Sequence, residues 1–209
     1  MAFFGLIKRK QNREVRIIAR RNLYAKQVAN TPKGGVVFFG DSITEMYDLD
    51  TFYPNKGYIN RGISGNVSSE LLGRVFNSVV ALQPKQVILL IGVNDLANEI
   101  HKPYAFQNIR VLIDVLLAEI SNLNLVVQAV YPINNFMKKP NWKTLQQDIV
   151  DLNASVSDYC NQKNVTFVSA REVLQDKNGA LNLQFSADGL HLNKLGYNAV
   201  TEVLSPYLI

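Results

Sequence analysis

Four short segments carry side chains whose types suit acyl transfer. Gly40-Asp-Ser42-Ile-Thr44 presents a hydroxyl, and Asp188-Gly-Leu-His191 presents a carboxylate and an imidazole three residues apart. Gly65-Asn66 and Gly92-Val-Asn94-Asp95 bring glycines and an asparagine amide, groups that donate hydrogen bonds to a developing negative charge. Serine acyl transfer needs a base to take the hydroxyl proton, an acid to orient that base, and donors for the oxyanion. Taken singly, each segment has a plainer use. A serine after a strand caps a helix, glycines serve a tight turn, Asn-Asp caps the next helix, and Asp-x-x-His forms a surface turn. Their weight comes from occurring together.

The elements that would position them follow a regular alternation. Val36-Val-Phe-Phe is an unbroken apolar run of the kind buried on both faces of a parallel sheet. Tyr58-Ile-Asn, Val87–Ile91, Leu125–Val130 and Val165–Val168 are four further strand candidates. Helical spacing fills the gaps over 67–81, 104–121, 142–162 and 193–205. Ser68 and Ser69 are the expected caps of the first, with Glu70 in its first turn, and Ile109, Leu112, Ile113, Leu116 and Leu117 share one face of the second. This alternation predicts a parallel α/β sheet covered on both sides, with ligands beyond the carboxyl ends of the strands. Three of the chemical segments fall at such ends, and Asp188-Gly-Leu-His191 lies before the last helix.

The joint pattern resembles the SGNH/GDSL hydrolase family, from about Val36 to the end of the chain. Gly-Asp-Ser-Ile-Thr at 40–44 is similar to the block that holds the nucleophile, so the resemblance implies Ser42 in that role. It places Gly65 and Asn94 with the Ser42 amide in the oxyanion hole, and Asp188 and His191 as the rest of the triad. It also implies a flavodoxin-like three-layer α/β/α sandwich with a five-stranded parallel sheet, and no cofactor or metal. Asn66 departs from the aspartate that many relatives carry after the glycine. Asp41 and Asp95 read as structural, Asp41 capping the turn that holds Ser42.

Composition bounds the rest. The 209 residues are 47% hydrophobic, enough for one core. The net charge of +5 is unevenly placed: residues 1–26 hold eight basic side chains and one acid, a net +7, leaving 14 basic and 16 acidic residues, −2, for the body. A basic N-terminal helical extension over 1–30 and a hydrolase domain over 31–209 are therefore expected, without the basic face on the fold that nucleic acid requires. Two uses of the extension stay open: a helix packed on the domain through Val15, Ile18 and Leu23, or a surface element for anionic lipid or another polyanion. Association into a homo-oligomer through it also stays open. The lone Cys160 calls for no oxidising compartment, no apolar run approaches the roughly 20 residues of a membrane span, and the start lacks the order of a signal peptide, so a cytoplasmic location is expected.

Competing chemistries lack their residues. No Gly-x-Ser-x-Gly elbow, Gly-x-Gly-x-x-Gly or Walker-type loop is present. Two histidines and one cysteine cannot build a zinc-type cluster, and His101 reads as a solvated loop residue. Tyr47, Phe52, Tyr53, Phe136 and Trp142 are candidates for the wall of an acyl or alcohol pocket, against the alternative that they are core. The expected substrate is a small-molecule carboxylic ester with a short, acetyl-type acyl group on a carbohydrate or other small alcohol. Longer-chain lysophospholipase or thioesterase activity, or a membrane or polyanion-binding role, are the alternatives.

Overall fold

The computed structural model describes residues 2–99, 101–135 and 141–209, and the side chains from residue 11 onward within that range. Phe136, a candidate pocket wall, lies outside it. After the long helix α1 (Ala2–Gln27) come β1 (Val36–Gly40), α2 (Ser42–Glu45), α3 (Leu49–Phe52) and β2 (Ile59–Gly62). Then follow α4 (Ser68–Leu72), α5 (Val75–Ser78), β3 (Gln86–Leu90), α6 (Val93–Leu96), α7 (Ala105–Glu119) and β4 (Asn124–Gln128). The chain closes with α8 (Trp142–Gln162), β5 (Thr166–Val168), α9 (Arg171–Leu174) and α10 (Lys194–Leu204).

All strand pairs are parallel and the order is β2-β1-β3-β4-β5, the flavodoxin-like arrangement. Period-two alternation splits the strand residues between two cores. Val37, Phe39, Val87 and Leu89 pack under α4, α5, α7 and α8; Val36, Phe38, Ile88 and Leu90 pack with α2, α3, α9 and α10. Strands buried on both faces are apolar along most of their length, which is why the middles of β1, β3 and β4 run unbroken. Chain order reverses between β1 and β3, so the ends of these neighbours splay their loops apart and open a crevice.

Two expectations are corrected. The helix foreseen over 67–81 is broken at Gly73-Arg74, because the Arg74 guanidinium turns inward to long-range acceptors: Asn66 Oδ1, the Arg61 carbonyl and the Gly40 carbonyl, each at 2.9 Å. Neither Ser68 nor Ser69 caps α4. Val67 holds the N-cap position, and the oxygen it lacks comes from Asp95, whose carboxylate accepts the Ser68 N–H at 2.9–3.0 Å.

Helix α1 lies against the domain, but not through Val15, Ile18 and Leu23, which are exposed. Its inward face carries Ile17 and Tyr24, both buried against Ile63, together with Arg13, Arg16 and Arg20. These positions repeat at helical spacing. The surface they meet is a row of carbonyls and carboxylates, so arginine rather than valine is the complementary residue.

Candidate active site

Ser42 stands where β1 ends, as the first residue of α2. Glycine before it is a steric necessity: a Cβ on Gly40 would overlap Thr44 Oγ1 and the Leu90 carbonyl of the adjacent strand. Asp41, fully buried, caps α2 by accepting the Ile43 N–H at 3.0 Å. Burial pushes its carboxyl up to about 7, against the lowering effects of that hydrogen bond and of His191.

The Asp188–His191 pair sits in the loop leading to α10. His191 Nε2 lies 3.0 Å from Ser42 Oγ, and its Nδ1 lies 2.6 Å from Asp188 Oδ2. The other carboxylate oxygen, Asp188 Oδ1, accepts the Leu190 and His191 amides at 3.0 and 2.8 Å, so one turn fixes both members. Partial burial raises the Asp188 carboxyl, but the imidazole and those two amides together outweigh it and hold the group below the usual carboxylate range. Asp188 is therefore ionised wherever the imidazole can act as a base, and its place on Nδ1 leaves Nε2 free to face the serine.

The groups expected as donors, Gly65 and Asn94, follow the two neighbouring strands, β2 and β3. Gly65 takes φ +78°, a conformation that favours glycine, and its N–H has no partner among the described residues. Asn94, in the first turn of α6 after β3, donates from Nδ2 to the Asn66 carbonyl at 3.0 Å and to Asp41 Oδ2 at 3.3 Å. Asp41 thus holds Asn94 as well as the Ser42 turn. Asp95 is buried and structural: it accepts from the Ser68 amide and hydroxyl, and burial raises its carboxyl against these bonds.

The structure brings together the five residues singled out by their chemistry, Ser42, Gly65, Asn94, Asp188 and His191, at the crevice between β1 and β3. The supporting residues were not evident from sequence. Asn66 is wholly buried: its Oδ1 takes the Arg74 Nε donor, its Nδ2 donates to Glu70 at 3.2 Å, and its carbonyl holds Asn94. An ionised aspartate at 66 could not donate to Glu70, which accounts for the amide. The one visible signal was the departure from the family pattern at that position.

The aromatic candidates divide. Tyr47 and Tyr53 are core, linked by their hydroxyls at 2.9 Å, while Trp142 is half-buried at the start of α8. Phe52 lines a solvent-open cavity of about 360 Å³ with Met46, Leu192, Tyr197, Asp48 and Lys194. This cavity is built from the two residues directly following His191, from α10, and from α3 and the turn before it. Among the described residues there is no cluster of metal-ligating side chains, and no helix long and apolar enough to cross a membrane.

Known proteins agree with this architecture. A Streptococcus pneumoniae protein provisionally described as a platelet activating factor is 22% identical and superposes with a TM-score of 0.89, covering 99% of both chains, α1 included. An acetylxylan esterase from Geobacillus stearothermophilus is 18% identical, with a TM-score of 0.67 over 85% of this chain and 95% of that one. A Bacteroides fragilis protein provisionally described as an acylhydrolase is 30% identical, with a TM-score of 0.79 over 88% of this chain and 92% of its own. No curated protein matches the sequence. The sequence model of the GDSL-like lipase/acylhydrolase family matches residues 38–199, the stretch that carries all five residues of the crevice. The chain belongs to that family and is a serine esterase of the SGNH type.

Proposed function

We propose that Ser42, His191 and Asp188 are the catalytic triad, and that the amides of Ser42 and Gly65 with Asn94 Nδ2 form the oxyanion hole. The observation that carries this reading is the continuous line from Asp188 Oδ2 through both imidazole nitrogens to Ser42 Oγ, at 2.6 and 3.0 Å. In it, His191 Nε2 takes the Ser42 proton as Oγ bonds to the ester carbonyl carbon. The carbonyl oxygen becomes an oxyanion held by the three donors, and Asp188 stabilises the imidazolium. Collapse breaks the bond to the alcohol, which leaves with the imidazolium proton. Water then repeats the sequence on the acyl-enzyme, releasing the carboxylic acid and restoring Ser42.

The substrates we assign are short acyl esters, acetyl-type, of carbohydrates or other small alcohols. The cavity lined by Leu192 and Asn193, next in the chain to His191, supports this, because it is open and carries Asp48, Asn193 and Lys194 among its apolar residues, a lining suited to a polar alcohol. The Geobacillus stearothermophilus neighbour is named an acetylxylan esterase, which is in keeping with an acetyl group. Rates for p-nitrophenyl esters from acetate to palmitate test the assignment. Highest kcat/KM at acetate or butyrate is expected, and a preference for palmitate would replace it with a lysophospholipase or thioesterase role. Labelling of Ser42 by a fluorophosphonate, lost in Ser42→Ala, tests the mechanism independently of chain length.

A further inference from the structure

The turn that carries Gly65 is held by helix α1. Ser64 N–H and Oγ–H both donate to Glu45 Oε2, whose other oxygen takes Arg20 Nε and Nη2 at 2.8 and 2.6 Å. The Ser64 carbonyl accepts from Arg16 Nη2 at 3.1 Å. The Gly65 carbonyl accepts from Arg13 Nη2, and the same guanidinium pairs with the Glu70 carboxylate at 3.0 and 3.3 Å. Of the four backbone polar groups of Ser64 and Gly65, three are tied, two of them directly to arginines of α1. The fourth is the Gly65 N–H. Because a peptide unit is planar, fixing the Ser64 carbonyl also fixes the direction of the Gly65 N–H on the opposite edge of that plane. The helix itself is pinned to the same stretch of chain: Tyr24 Oη donates to the Gly62 carbonyl at 2.7 Å, and the Arg61 guanidinium lies 4.7 Å from the Tyr24 ring centre.

We propose that Arg13 and Arg16 of α1 are positioning residues for ester hydrolysis, orienting the Gly65 N–H as an oxyanion donor. The basic segment, on this account, completes the hydrolase: its arginines face inward to carbonyls of the site. The inference rests on the reading of Gly65 as part of the oxyanion hole. Glu45 and Arg20 support the same turn through the Ser64 N–H and hydroxyl; burial raises the Glu45 carboxyl, but those contacts bring it below its ordinary value.

The test compares wild type, Arg16→Gln, Arg13→Gln/Arg16→Gln, and Lys26→Gln as a control that removes the same charge from an exposed position of α1. Active Ser42 is counted by fluorophosphonate titration, so kcat is expressed per competent site, and a short-chain trifluoromethyl ketone measures affinity for the tetrahedral adduct. Removing one oxyanion donor costs about 10²- to 10³-fold in kcat, so a donor left misoriented in the double variant should cost at least ~10-fold. Ketone Ki should rise by the same factor while KM stays within about twofold. Arg16→Gln, which strands no carboxylate, should move both quantities in the same direction by less, and it decides the matter if the double variant does not fold. A helix that only stabilises the domain would lower the titratable fraction and leave kcat per site and ketone affinity unchanged, which overturns the proposal. If Ser42 titrates and Asn94→Ala is crippled while the arginine variants are normal, only the positioning role falls. If wild type is not labelled at Ser42, the functional reading and this inference fall together.

Discussion

Asn94→Ala separates transition-state stabilisation from folding more cleanly than any other change in the site. The lost groups are two neutral amide donors, at 3.0 Å to the Asn66 carbonyl and at 3.3 Å to Asp41 Oδ2. In the resting protein only the first is well formed, so truncation should cost about 1–2 kcal/mol of stability, mostly from the orphaned Asn66 carbonyl. Against a total of roughly 5–15 kcal/mol the variant stays folded. In the reaction the same amide meets a full negative charge away from bulk water. One such donor is worth about 2.7–4 kcal/mol, or roughly 10²- to 10³-fold in kcat. The longer bond to Asp41 is the one the amide can exchange for the oxyanion without releasing Asn66. Urea melts and steady-state kinetics on p-nitrophenyl acetate should therefore diverge: a small shift in midpoint with unchanged slope, a large fall in kcat per titrated Ser42, and KM nearly constant. A variant that titrates fully at Ser42 and keeps kcat within about fivefold of wild type refutes the assignment of Asn94 to the oxyanion hole.

Other perturbations have equally definite outcomes. Ser42→Ala should abolish turnover and fluorophosphonate labelling while leaving circular dichroism and melting behaviour near wild type. Asp188→Asn should lower kcat by about 10³- to 10⁴-fold through loss of the correct imidazole tautomer, with the ester substrate still bound; pre-steady-state acylation rates measure it. Asp41 offers a pH test. Its folded value of about 7 lies above the ordinary carboxylate value, so the folded chain holds an extra proton in the interval between them. The stability this gives is full below the unfolded value and is lost as pH rises to about 7. Melting temperatures of wild type should accordingly fall relative to Asp41→Asn between pH 5 and about 8, and a constant difference would contradict the burial argument. Cys160, fully buried and with its thiol raised to about 11, should resist thiol reagents at pH 8 until the protein is unfolded, as a timed colorimetric assay would record.

The five residues of the crevice were legible because they occur together in the order of the family's blocks, although each alone has an ordinary structural use. The strands were legible because double-sided burial keeps their middles apolar, and their boundaries fall within a residue or two of the apolar runs, the ends admitting polar residues such as Gln86 and Gln128. What escaped was long-range polarity. Nothing in the periodicity of 67–81 reveals that Arg74 reaches back to Gly40, 34 positions earlier in the chain, and its inward turn is what breaks the helix. Apolar spacing likewise selected the wrong face of α1, since Val15 and Ile18 are solvent-facing while Arg13, Arg16 and Arg20 meet carbonyls and carboxylates. Hydrophobic patterning finds an interface only when the opposing surface is apolar. Glu45 was the available clue, as an acid near the oxyanion segment with no basic residue close to it in sequence.

The loop that holds Asp188 and His191 is built almost wholly from its own residues. Ser186 Oγ donates to the His191 carbonyl at 2.7 Å and accepts the Gly189 N–H at 2.9 Å, inside the span that already joins the carboxylate to the imidazole. The acid–base pair therefore closes over short loops of chain, whereas its contact with the nucleophile spans 149 residues. The proposed reactive centre therefore rests on one contact of high sequence separation, between this loop and the turn after β1. During synthesis the serine turn emerges long before the loop proposed to activate it, so on that proposal the Ser42 hydroxyl lacks its base until residue 191 has been added.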